Sequence, residues 1–211
     1  DNTITSGKDK GIAINSVKCK MTISGNTIKK CKAYPIYCNP ASTSYAITLK
    51  KNIITGNSKK IDGIRADSGK LILSSNTISS CSRAIILSSK VKGTVYPNTF
   101  KKNTYNNVKV NSSYVNTLTV KSLSGKSKSA KTATLNWKKL SSASGYVVYR
   151  SASKNGSYTK ISTIKKNKTI TYKDSKLKRK STYYYKIVPY TTIGKTTVYG
   201  LDSKIVSIKI K

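Results

Sequence analysis

Apolar residues in the first half of the chain come in short runs of three or four, divided by polar corners, and the runs recur. A phrase close to Asn-Thr-Ile stands at Asn2-Thr3-Ile4, Asn26-Thr27-Ile28, Asn52-Ile53-Ile54, Asn76-Thr77-Ile78 and Asn98-Thr99-Phe100, at intervals of 24, 26, 24 and 22 residues. Five positions after each Asn comes a small or polar residue: Gly7, Cys31, Asn57, Cys81 and Asn103. A further run follows at 11–14, 35–38, 63–66 and 84–87, and another precedes the next Asn at 21–23, 46–49, 71–73 and 94–96. Runs this short, rich in Ile and bounded by Gly, Asn and Ser, read as strands. A period in the low twenties reads as a solenoid.

One such coil cannot bury its own apolar side chains, so it stacks on the next at strand spacing, Ile over Ile. Asn2, Asn26, Asn52, Asn76 and Asn98 then form an internal hydrogen-bonded column. Cys31 and Cys81 fall in equivalent inward slots two coils apart. That puts their Cα atoms roughly 9–10 Å apart, beyond disulfide reach, so both are expected as reduced core thiols. Cys19 and Cys38 receive no assignment. The phrase and its spacing resemble the right-handed parallel β-helix of the pectate-lyase-like superfamily, over about residues 1–110. That superfamily includes polysaccharide lyases, glycoside hydrolases, epimerases, phage tailspikes and adhesins, so the resemblance implies a fold more than an activity.

The pattern stops after Asn107, which divides the chain into residues 1–112 and 113–211. Beyond it, alternating runs at 117–121, 132–137, 145–150, 158–161, 169–172, 182–187 and 204–208 predict seven short strands of a β-sandwich. Trp137, the single Trp, closes the second run where a sandwich needs a large core residue. Leu177-Lys178-Arg179-Lys180-Ser181-Thr182-Tyr183 resembles the corner of fibronectin type III domains, with Arg179 and Lys180 where that family favours Pro-Gly. The resemblance implies a tyrosine-corner role for Tyr183, its hydroxyl bonding backbone near Leu177. The fold class expected is all-β: β-helix coils followed by an immunoglobulin-like fibronectin type III sandwich.

Charge changes the picture of partners. Lys and Arg total 41 against six Asp, with no Glu and no His, for a net charge of +35. Chemistry that needs a histidine base or ligand is excluded. Basic residues number 19 against four acidic over residues 1–115 and 22 against two over the rest. Charge this dispersed, nearly all of it Lys, argues against a dedicated nucleic-acid surface, which concentrates Arg in one stripe. Its expected partners are an anionic polysaccharide, a mucin or a cell-wall polymer, met by a monomer through a long-range field.

Candidate chemistry is sparse. Asp62, Arg65 and Asp67 surround one strand, and β-helix lyases set acidic calcium ligands beside a basic residue that removes a proton. The simpler reading is that Arg65 and Asp67, two apart on one strand face, form an ion pair. No cofactor is expected, calcium being the one cation the two carboxylates could admit. No run nears the twenty or so apolar residues of a membrane span. Because the chain opens in mid-pattern, it reads as the C-terminal part of an extracellular or cell-surface protein, a structural and binding segment rather than an enzyme. The rival reading is the tail of a β-helix polysaccharide lyase or glycoside hydrolase whose catalytic residues lie upstream.

Overall fold

The computed structural model describes residues 2–5, 9–16, 18–57 and 60–211. Gly7 lies outside the described residues. Among the described residues every regular element is a strand, and the chain divides into two compact units, residues 1–116 with 192–198 and residues 117–191 with 199–211.

The first unit is a β-solenoid of three parallel sheets. One joins Thr3–Thr5, Thr27–Lys29, Ile53–Thr55, Thr77–Ser79 and Thr99–Lys101. The second joins Ile12–Asn15, Ile36–Asn39, Ile64–Ala66, Arg83–Leu87 and Tyr105–Val110, and ends on antiparallel Ser113–Val115. Met21–Ser24, Ala46–Lys50, Lys70–Ser74 and Lys92–Val95 make the third, continued by Thr197 and Val198 beside Thr94 and Val95.

Registration stacks like on like. Ile4, Ile28, Ile54, Ile78 and Phe100 form one inward column. Ile12, Ile36, Ile64, Ile85 and Val108 form another. β-Branched side chains suit both, since their single preferred rotamer repeats from strand to strand. Ile28, Ile36, Ile54, Ile64, Ile78 and Ile85 are fully buried. Cys31, Cys38 and Cys81 share that core, and the four cysteines form no disulfide.

Three of the turns into an Asn-Thr-Ile phrase are made by a left-handed residue. Gly25, Lys51 and Ser75, immediately before Asn26, Asn52 and Asn76, have φ of 72°, 55° and 55°. Glycine adopts this without penalty, whereas Lys and Ser hold it at a cost the surrounding ladder must offset.

The second unit is a sandwich. Leu123–Lys126, Ala133–Trp137 and Thr171–Asp174 form one antiparallel sheet. Gly145–Ser151, Thr159–Ile164, Thr182–Ile193 and Val206–Lys209 form the other. Leu135 and Trp137 from the first meet Tyr146, Val148, Tyr185, Ile187 and Ile208 from the second in one core. Trp137 packs edge-on against Tyr146, with centroids 5.3 Å apart. Tyr183 accepts a hydrogen bond at its hydroxyl from the Lys178 amide at 3.3 Å, next to buried Leu177.

One expected strand is absent. Residues 117–121 alternate as a strand should, and Leu118 and Val120 are buried, yet they form no ladder, only an isolated bridge of Thr119 to Leu201 in which the Leu118 carbonyl accepts from the Leu201 amide at 2.8 Å. Alternation reports which side chains face the core, not whether the backbone has a neighbour; the ladder begins at Leu123 instead.

Candidate functional site

The asparagine column runs through the solenoid interior. Asn52 Oδ1 accepts from the Asn26 amide at 3.0 Å and from Asn26 Nδ2 at 3.1 Å. Asn76 Oδ1 accepts the same pair from Asn52, both at 3.0 Å, and Asn98 Oδ1 accepts it from Asn76, both at 2.9 Å. Asn2 donates to Asn26 Oδ1 at 3.1 and 3.3 Å. The remaining amide hydrogens of Asn52 and Asn76 go to the Ile23 and Leu49 carbonyls. Asn52 and Asn76 are fully buried; the column holds the corners, and its polar atoms are spent on one another.

The three acidic and basic candidates separate. Arg65 Nε donates to Asp67 Oδ1 at 3.1 Å. Asp62 accepts instead from the Arg83 backbone amide at 3.3 Å, with Arg83 Nη1 at 3.7 Å. Each carboxylate is thus matched to a different arginine. Among the described residues no three of His, Cys, Asp and Glu are grouped as a metal site.

Around these residues lies an arrangement that the sequence does not announce. The outward column of the second sheet reads Ala13, Tyr37, Arg65, Ile86, Lys109, Tyr114. Beside it stand Lys10, Tyr34, Arg83 and Tyr105. Lys10 lies over the Tyr37 ring at 5.4 Å, Arg65 over Tyr34 at 5.3 Å, Arg83 over Tyr105 at 5.5 Å and Lys109 over Tyr114 at 5.4 Å. Tyr34 and Tyr37 stack at 5.8 Å, and Tyr105 and Tyr114 tilt together at 6.3 Å. Tyr37 donates its hydroxyl proton to Asp67 Oδ2 at 2.9 Å, and Arg65 Nη1 reaches the Tyr34 oxygen at 3.3 Å.

Two members of this cluster are shifted by their neighbours. The hydrogen bond to Asp67, with burial second, raises the Tyr37 phenol above its ordinary pKa. Burial pulls the Arg65 guanidinium down, and Asp67 and Tyr34 more than offset it, so the net shift is upward. Arg65 therefore stays charged and Tyr37 neutral through the physiological range.

The register explains why the sequence hides this face. Tyr37, Arg65, Ile86 and Lys109 lie 11, 13, 10 and 11 positions after the Asn of their coils, because the coils differ in length. Fixed-interval reading scatters what the sheet aligns.

In the sandwich unit, Tyr149 lies 5.7 Å and Tyr158 4.7 Å from Lys186 Nζ, which also pairs with Asp202 at 2.7 Å. Tyr184 is half-buried in the same strand, and Tyr190 is tilted against Tyr199 at 5.9 Å. The large buried rings are others, Tyr146 and Tyr185.

Burial also sets thiol chemistry. It pushes Cys38 up to about 12 and Cys81 up to about 11, while Cys19 is exposed. At pH 8 Ellman's reagent is expected to titrate one thiol per native chain and four in denaturant. An ordinary thiol ionises near pH 9. The raised folded values therefore add stability that is complete below that pH and is lost as pH climbs toward 11 and 12. Urea midpoints should fall over that interval, less steeply in Cys38→Ala; a flat profile, or two fast thiols, would contradict the buried placement.

The comparisons with known proteins fall on both units. The profile of the family described as "Periplasmic copper-binding protein (NosD)" matches residues 1–132. Among solved structures, an Fn3-like protein from Clostridium thermocellum is 29% identical, covering 43% of this chain and 88% of that one, with a TM-score of 0.37. The chicken CNTN1 FN1-FN3 domains are 17% identical, covering 49% and 35%, with a TM-score of 0.40. A beta-1,2-glucanase from Parabacteroides distasonis is 17% identical, covering 45% and 12%, with a TM-score of 0.36. A search of curated protein sequences finds no match. With five registered coils of its solenoid inside the matched stretch, and that stretch making up well over half its length, the chain belongs to the NosD family.

Proposed function

We propose that this chain is a structural and binding segment of a protein working outside the cytosol, holding anionic surface polymers by the field of its lysines. The observation that carries this reading is the charge, +35 in 211 residues, with Lys side chains exposed along both units. Such a field extends about one Debye length, roughly 8 Å at physiological salt, and needs no shaped pocket. The periplasmic description of the family agrees with this location, and no helix among the described residues could span a membrane.

Copper does not enter the reading. Copper sites are built from imidazole, thiolate and thioether ligands, and this sequence has no His, one Met and four Cys. Cys31, Cys38 and Cys81 are enclosed in the apolar core and Met21 packs against it. These residues do not fit a copper centre, and no step of the function passes through one.

The test is retention on an immobilised acidic polysaccharide such as alginate. At physiological salt the chain is expected to be held more strongly than an unrelated near-neutral protein of equal size, and to elute as salt rises. Equal retention of the two would remove the binding claim and leave a spacer.

A further inference from the structure

The three-stranded sheet of the sandwich opens into a cleft at one end. Its first ladder closes on the pair Leu123 and Trp137, and beyond that pair the two chains, 120–122 and 138–140, lie in no strand. Between them is a cavity of about 440 Å³, lined by these stretches and Thr119. Every lining residue belongs to the second unit. A cleft of this volume falls in the range of small-molecule sites.

Its lining is one-sided in charge. Lys121, Lys138 and Lys139 supply three of the seven residues, and no carboxylate stands among them. The ion pairs of the described residues engage Lys10, Arg65, Arg83, Arg150 and Lys186 instead. A concave site with charge of one sign and apolar walls focuses the field that open lysines spread into water. Val120, 3% exposed, and half-buried Leu140 make the apolar floor, and Thr119 and Ser122 bring hydroxyls. Ammonium groups, hydroxyls and an apolar floor together suit a ring that has C–H faces and hydroxyls and also carries an anion. A bare anion would leave the floor unused, and a neutral sugar would leave the ammonium groups unused.

We infer that this cleft seats a carboxylated sugar unit of an anionic polysaccharide, with its carboxylate held by Lys121, Lys138 and Lys139 and its C–H face laid on Val120 and Leu140. The inference rests on the anionic-polymer reading proposed above and deepens it, naming uronates as the ligand class and giving them one specific seat on a surface that otherwise attracts without a pocket.

The experiment uses the whole chain at physiological salt and a short alginate oligomer as probe, followed by calorimetry. The triple variant Lys121→Gln, Lys138→Gln, Lys139→Gln is expected to bind the oligomer roughly tenfold more weakly. Lys29→Gln, Lys50→Gln, Lys101→Gln removes the same charge from exposed positions on the solenoid and should cost less than about twofold, since it touches only the common field. All six side chains are exposed, and unchanged melting curves check both folds. Equal losses in the two triples overturn the inference, as does an unaltered chain that binds no oligomer, or that binds an uncharged oligosaccharide or inorganic phosphate equally well. If the alginate polymer is still retained in any of those cases, the lysine reading stands and the cleft alone is lost. Loss of polymer retention with the oligomer still bound selectively removes the lysine field and keeps the cleft.

Discussion

Asn52→Ala should be among the most damaging single substitutions in the solenoid, lowering stability by about 3–5 kcal/mol and the melting temperature by roughly 10 °C. The side chain accepts two hydrogen bonds from Asn26 and donates to Asn76 and the Ile23 carbonyl, all between 3.0 and 3.1 Å and out of contact with water. Alanine leaves the Asn26 amide and the Ile23 carbonyl without their partners, and each buried orphan costs about 1–3 kcal/mol. Asn2→Ala serves as the internal comparison. Asn2 is exposed and donates only to Asn26, so its loss should cost under about 1 kcal/mol. Melting both variants by far-ultraviolet circular dichroism checks the prediction; equal, small shifts would mean that apolar stacking alone holds the coils.

In the sandwich, Asp174→Ala should cost about 3 kcal/mol, near the lower end for breaking a buried charged pair because Arg150 is one-third exposed. Asp174 Oδ2 accepts from Arg150 Nη1 at 3.0 Å and from the Tyr185 hydroxyl at 2.9 Å, and Tyr185 has no exposed surface. Burial, then the Asp174 charge, raises the Tyr185 phenol, so the ring stays neutral and needs an acceptor. Alanine takes that acceptor away and strands a hydroxyl in an apolar core. Tyr185→Phe, which removes the donor as well, should be milder by more than half. Urea unfolding followed through Trp137 reads this unit alone, since it holds the single Trp and that ring lies in the same core. A Phe variant as unstable as the Ala variant would show that the cost lies in depriving Asp174 of a donor rather than in stranding the Tyr185 hydroxyl.

The fold was legible in the sequence because its two signals do not depend on knowing neighbours. Asn-Thr-Ile repeats within the chain itself, and a parallel solenoid converts that interval directly into a column. Trp137 and the Leu177–Tyr183 corner likewise act within one local stretch. The tyrosine face was not legible, because it is defined by which strand lies beside which, and coils of unequal length shift its members off any fixed interval. Arg65 and Asp67 drew notice as charges, while Tyr34, Tyr37, Tyr105 and Tyr114, which give them a setting, looked like ordinary strand and corner residues. Asp174 shows the same limit: Arg150 and Tyr185 are 24 and 11 residues away, and only pairing across the two sheets brings all three together.

The asparagine column also governs how this molecule can change in size. Each buried amide bonds the asparagines on either side and the carbonyl three positions before the preceding asparagine, so excising a complete period, such as residues 52–75, lets Asn76 take over the place of Asn52 beneath Asn26. Dropping a single residue inside a strand has the opposite effect, turning inside to outside as far as the next corner. Gene duplication can therefore lengthen or shorten such a protein in whole steps, and the extent of any surface that runs along it grows or shrinks by the same step.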